Sequence, residues 1–246
     1  MECKDVNCGF YGFRRAGLRA STYDEVRAVC AQFGITACAW YHLDRSGAGV
    51  RESNEITLAL CRQNGGVPVL RLLPPAFPLE SYTKEEMERL ITQERAVFRI
   101  HPGRDASPLK DWVFDWMFPL LNETGTPLLV SLQEADLGEL AAFKQQFPEV
   151  PLILTNTTQW LNRQYVCFLR RFPKTYMDTA NVIEYYGLEN LCDVVGPDKL
   201  LFGTGMPDKE PYDKFFQLLY SDLAKEQIEL IAHVNFERVI ERRRDV

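Results

Sequence analysis

Lys199-Leu-Leu-Phe-Gly-Thr-Gly-Met-Pro207 is the stretch on which the reading of this chain turns. Leu200, Leu201 and Phe202 form a short apolar run. Pro197 precedes it, and Gly203, Gly205 and Pro207 interrupt the segment after it. That pattern predicts a buried strand running straight into a tight loop. In an α/β barrel the loops after the strands build the catalytic face, so this junction is where chemistry is expected.

On either side of this stretch, apolar runs alternate with helical patterns about eight times, which favours a parallel barrel over a sandwich. Strands are expected at Lys4 to Cys8, Ile35 to His42, Val67 to Leu72, Ala96 to His101, Leu128 to Leu132, Leu152 to Thr155, Thr175 to Met177 and Leu200 to Phe202. Capping boxes at Thr22-Tyr-Asp-Glu25 and Thr83-Lys-Glu-Glu86 open two of the intervening helices. A helix beginning near Pro108 should kink or end at Pro119, and one is expected from about Trp160 to Phe172. Two helical patterns, Tyr212 to Leu223 and Lys225 to Ile240, close the chain. The 246 residues suit a single (β/α)8 TIM barrel of roughly 250 residues. No repeat or linker divides them, so one domain over 1–246 is expected.

Composition narrows the function. The chain is 46% hydrophobic and 25% charged, an ordinary globular balance. Its net charge of −6 argues against nucleic acid as a partner, and Arg242, Arg243 and Arg244 read as a solvated end. No run approaches a membrane helix. Met1-Glu-Cys-Lys-Asp5 lacks the apolar core of a signal peptide, so the cytoplasm is the expected location. The cysteines are Cys3, Cys8, Cys30, Cys38, Cys61, Cys167 and Cys192, an odd number with no Cys-x-x-Cys pair. That spacing gives no disulfide framework and no zinc-cluster motif, and reduced core thiols are expected.

Several pieces resemble the amidohydrolase-2 family of metal-dependent TIM-barrel hydrolases. Gly196-Pro-Asp-Lys-Leu-Leu-Phe-Gly-Thr204 is similar to its last strand, which usually reads Leu-Phe-Gly-Ser/Thr-Asp-x-Pro. Phe147-Pro-Glu-Val-Pro-Leu-Ile-Leu154, Tyr176-Met-Asp-Thr179, Phe98-Arg-Ile-His-Pro102 and Ile231-Ala-His-Val-Asn235 resemble its patterns at strands 6, 7 and 4 and near the C-terminus. The resemblance implies the barrel fold. It also implies where a metal would be held, and there the chain departs from the family. Asn7 and Gly9 stand for the two histidines of strand 1, and Cys8 between them should point the other way. Ser131 stands for the strand 5 histidine, Asn156 for that of strand 6, and Gly205 for the strand 8 aspartate. Asn and Ser are weak, neutral ligands for a dication, so no metal and no other cofactor is expected.

The expected ligand site is therefore the barrel mouth, built from Asn7, His42, Arg71, Arg99, His101, Ser131, Asn156 and Asp178. Arg71, Arg99 and His101 make it cationic, and an arginine fork suits a carboxylate. A small anion is the expected ligand, with Asp178 a candidate partner for one arginine. His233 reads as structural. No Gly-x-Ser-x-Gly and no phosphate loop is present. The catalytic residues are open, as is enzyme status. Some relatives in the superfamily are lactonases that work without metal on carboxylate substrates, and such a hydrolase is the alternative. Leu109, Trp112, Val113 and Trp116 form a second apolar stripe beside Phe114, Met117, Phe118 and Leu121, which suggests a homo-oligomer through that helix.

Overall fold

The computed structural model describes residues 1–43, 49–157 and 162–241. Eight parallel strands pair in sequence order. They are β1 (Cys3–Phe10), β2 (Ile35–His42), β3 (Val67–Arg71), β4 (Val97–Ile100), β5 (Leu128–Ser131), β6 (Leu152–Thr155), β7 (Thr175–Asp178) and β8 (Leu200–Leu201). Backbone bonds from Val6 N to Phe202 O (2.9 Å), Gly9 N to Met206 O (2.8 Å) and Gly205 N to Asn7 O (3.0 Å) join the last strand and its loop to the first. The result is the expected (β/α)8 barrel.

Helices α1 (Tyr23–Gln32), α2 (Val50–Asn64), α3 (Lys84–Thr92), α4 (Asp111–Phe114), α5 (Met117–Thr124), α6 (Leu137–Gln146), α7 (Asn162–Arg171), α8 (Gly187–Val195), α9 (Pro211–Leu219) and α10 (Lys225–Glu229) connect or succeed the strands. The expected box before α3 is complete: Thr83 Oγ1 accepts from Glu86 N at 3.2 Å, and Glu86 Oε2 accepts from Thr83 N at 2.8 Å. At α1, Glu25 accepts from Thr22 N at 3.2 Å. The closing helix is broken into α10 and π-helical turns at Leu230–Val234 and Glu237–Glu241. Trp160 and Arg242 to Arg244 lie outside the described residues.

Strand periodicity separates two cores. One face of the strands packs outward on the helices. The other face meets inside the barrel as Val6, Ala39, Val69, Val97, Leu129, Ile153 and Leu201, closed from below by Phe236, Val239 and Ile240. Two residues further along the same strands, the inward positions turn polar: Tyr41, Arg71, Arg99, Ser131 and Thr155. A period of two puts each directly above its apolar predecessor. The lower barrel is thus a dry plug and the upper barrel a polar floor.

The region after β4 differs from expectation. The helix breaks at Asp115, whose φ is +32°, and not at Pro119. Pro119 falls in the first turn of α5, where its missing N–H costs nothing. The break turns Phe114, Met117, Phe118 and Leu121 fully inward. Leu109 is buried too, and Val113 and Trp116 pack partly against the core. Of the second stripe only Trp112 stays exposed, at 77%, so most of the face read as unpartnered is covered by the chain itself. No helix among the described residues is long and apolar enough to cross a membrane.

Candidate functional site

A cavity of about 310 Å³ opens at the C-terminal ends of the strands. Its floor is Arg99. This arginine is 7% exposed because β4 carries it inward directly above Val97. Its Nη2 donates to Asn7 Oδ1 at 2.7 Å. Its guanidinium lies 3.9 Å from the centre of the Tyr41 ring, where a desolvated cation–π contact stabilises the charge. Tyr41 OH donates to the same Asn7 oxygen at 3.1 Å. Arg99 Nε is buried without a hydrogen-bond partner.

Asn7 relays this cation to an acid. Its Nδ2 donates to Asp178 Oδ2 at 2.6 Å. Asp178 is fully buried, and its Oδ1 has no hydrogen-bond partner. Burial raises the Asp178 carboxyl to about 6, against the pull of the Asn7 amide, Arg99 and Lys209. Arg99, Asn7 and Asp178, from three strands, therefore form one buried chain of polar groups.

The strand 1 backbone makes this possible. The register of β1 on β2 shifts between Asp5 and Cys8, a local irregularity that re-aims side chains. Asp5 fixes it by accepting from Asn7 N at 2.8 Å and from Thr204 N at 3.2 Å. Asp5 is fully buried, and burial raises its carboxyl to about 7. Cys8 points outward, as its place between Asn7 and Gly9 predicts.

The other expected residues fall into pairs. Arg71 forms a two-bonded ion pair with Asp105, one of the bonds from Nε to Oδ2 at 3.0 Å, so its partner is Asp105 and not Asp178. Asn54 holds Arg71 by its backbone, donating to Arg71 O at 2.8 Å and accepting from Arg71 N at 2.9 Å. His101 Nδ1 meets Glu134 Oε1 at 2.9 Å. Burial holds the His101 imidazole below its usual pKa, with Arg99 adding to the effect and Glu134 opposing it. His42 stands at the rim, with Nδ1 2.9 Å from Ser53 Oγ and its ring against Phe10. Asn156, at a φ of +51°, turns its Nδ2 to Ser131 Oγ at 3.2 Å. His233 lies on the closing turns, 3.4 Å from Glu237.

The mouth is less one-sidedly cationic than the sequence suggested. Arg71, Arg99, Arg104 and Lys209 line it, but so do Glu134 and Asp208, and Asp105 and Asp178 stand beside two of the arginines. Tyr41, Asp105, Glu134 and Lys209 were not anticipated. Tyr41 could have been found from the inward face it shares with Ala39. The other three belong to loops after strands 4, 5 and 8, the loops that build a barrel's functional face. Lys209 Nζ donates to Ala180 O at 2.9 Å, and burial lowers its pKa.

Three of the five positions compared with metal ligands have their space or lone pairs taken. A Cβ on Gly9 would stand 2.8 Å from the Tyr41 ring. Gly205, at a φ of +74°, lies against the Lys209 stem, which a Cβ would meet at 3.1 Å. Asn7 Oδ1 already accepts from two donors.

Solved structures with the same architecture include a 2,6-dihydroxybenzoate decarboxylase in complex with 2,6-dihydroxybenzoate, at a TM-score of 0.77 and 12% identity, covering 98% of this chain and 100% of that one. A 5-carboxyvanillate decarboxylase from Sphingomonas paucimobilis matches at a TM-score of 0.74 and 12% identity, covering 98% and 99%. A dihydroxybenzoic acid decarboxylase from Polaromonas sp. JS666, with bound manganese and 2-nitroresorcinol, matches at 0.73 and 12%, covering 98% and 97%. No curated protein matches the sequence. The amidohydrolase family model matches residues 7–240, nearly the whole chain, so this chain belongs to the amidohydrolase family.

Proposed function

We propose that the barrel mouth binds a small carboxylate and does so without a catalytic metal, with Arg99 as the group that holds the anion. The observation that carries this reading is the Arg99 guanidinium on the cavity floor, buried and with Nε unpartnered. The donor set does not fit a dication. Asn7 presents its oxygen to Arg99 and Tyr41 and its nitrogen to Asp178, while Gly9 and Gly205 offer no ligand atom. A fixed positive charge stands among these groups in place of an exchangeable one. The 2,6-dihydroxybenzoate held by one structural neighbour is itself a small carboxylate, of a size that about 310 Å³ can admit.

The alternative, metal-independent hydrolysis of a small carboxylate ester or lactone, draws on Asp178. A carboxyl raised to about 6 can hold or accept a proton near neutral pH.

Calorimetry tests the binding reading. A panel of benzoates, aliphatic dicarboxylates and inorganic phosphate is titrated into the parent protein and into Arg99→Met, which keeps bulk and loses charge. A charge-assisted bond worth roughly 1.5–3 kcal/mol corresponds to a roughly 10- to 100-fold weaker Kd in the variant. Failure of every anion to bind the parent at millimolar concentration, or equal binding by Arg99→Met, rejects it.

A further inference from the structure

Cys8, Cys30 and Cys38 come from β1, α1 and β2, and their sulfurs meet behind the barrel wall, on the far side of β1 from the mouth. Cys30 Sγ lies 3.9 Å from Cys8 Sγ and 3.9 Å from Cys38 Sγ, and all three are mutually within 4.8 Å. We propose that these three cysteines form a metal site for a soft, thiol-seeking cation, Cu(I), separate from the barrel mouth.

Two of the three sulfur–sulfur distances, 3.9 Å each, match the geometry of such an ion. Three sulfurs placed about 2.3 Å from a central ion, at the corners of an equilateral triangle, stand about 4.0 Å apart. Structural zinc asks for a fourth ligand. Among the described residues no imidazole or carboxylate oxygen joins the group. Thiolates select Cu(I), a closed-shell ion satisfied by three sulfurs. The ligands need no assembly, because two sit on adjacent paired strands and the third on the helix packed over them. Rigid elements of this kind hold a site more accurately than loops do.

A path for the ion is also present. A cavity of about 80 Å³ reaches Cys30 and Cys38 from the surface, with exposed Arg27 and Thr36 at its opening and Tyr23 and Trp40 in its wall. Metal capture there displaces thiol protons to solvent. The sequence hid this arrangement, because ligands separated by 22 and 8 residues on three elements carry no Cys-x-x-Cys signature.

The test uses the intact, reduced protein, held without oxygen. One equivalent of Cu(I) is added against excess bicinchoninate, the copper retained after gel filtration is quantified, and X-ray absorption counts its sulfur neighbours. About one copper per chain with three sulfurs is expected, and Cys30→Ser should weaken retention by roughly tenfold or more. Cys167→Ser, which changes an exposed thiol far from the cluster in sequence, should leave retention unchanged. No copper held against the chelator overturns the proposal, as does equal retention by folded Cys30→Ser or loss in Cys167→Ser. Should Cys30→Ser fail to fold, the sulfur count on the parent decides, and two sulfurs or fewer rejects the site.

Discussion

Asp178→Asn should make the folded protein less sensitive to rising pH. Burial raises the Asp178 carboxyl to about 6, against 3.8 for an ordinary aspartate. Between about pH 4 and pH 6 the folded chain keeps a proton that the unfolded chain has released. Because the folded state binds the extra proton, stability falls as pH rises through that window. The contribution is complete below about pH 4 and lost above about pH 6 to 7. A shift of about two units at about 1.4 kcal/mol each makes the loss about 3 kcal/mol. Asparagine keeps the shape and an oxygen for Asn7 Nδ2, and it removes the ionisation. Asp5, raised to about 7 by burial, tilts stability the same way in parent and variant, so it cancels in the difference. Urea unfolding at about pH 4.5 and about pH 7.5 measures the effect. Because about pH 4.5 already lies inside that window, the parent should lose about 2 kcal/mol more than Asp178→Asn over that interval. Parallel losses in the two proteins would refute the claim that Asp178 is buried with a raised pKa.

The packing and the paired charges fix three further outcomes. Phe118 stacks on Phe114 at 4.4 Å and meets Phe143 edge-on at 4.9 Å, so Phe118→Ala should cost about 3–5 kcal/mol in denaturant unfolding, and a cost under about 1 kcal/mol would contradict the packing. Gly9→Ala places a methyl 2.8 Å from the Tyr41 ring; it should destabilise by about 1–3 kcal/mol and weaken any anion held at Arg99, and a neutral result in both assays would count against the Tyr41–Arg99 stack. Glu134→Gln removes the charge that opposes burial at His101, so the imidazole pKa should fall further below its usual value in an NMR titration, and an unchanged or raised value would show that the pair does not form.

The barrel was legible because its signals are repetitive and local. Each strand is a short apolar run, and several helices open at a capping box or close at a glycine or proline, so errors of a few residues at the ends left the order intact. The break at Asp115 was not legible, because Asp is common in turns and in first helical turns alike, while Pro119 nearby is the stronger breaker. Pro119 misled only about where the helix breaks. Its tolerance in a first turn depends on where α5 starts, which tertiary packing of Phe114 and Phe118 decides.

At the site, most residues on the strands or just past their ends were legible, Tyr41 excepted, and those further into the loops were not. Arg71, Arg99, Ser131 and Asp178 are set by strand register, because inward positions recur every second residue, whereas Asn7 is aimed by the irregularity after Asp5. Asp105, Glu134 and Lys209 lie on loops whose direction no periodicity fixes, yet they decide the electrostatics. Asp105 neutralises Arg71, Glu134 engages His101, and Lys209 adds a positive charge that acts on Asp178. Arg99 therefore differs from the other expected cations in a way no residue count could reveal. Its acidic neighbour is reached through the neutral amide of Asn7, so the guanidinium keeps its full charge while being held in place. A buried arginine without direct ionic compensation is costly to maintain. Tyr41 offsets part of that cost from one face, and a carboxylate entering from the mouth would offset more from the other. The site's affinity for anions should thus depend less on the sum of its charges than on Asn7, which keeps Asp178 from closing on Arg99.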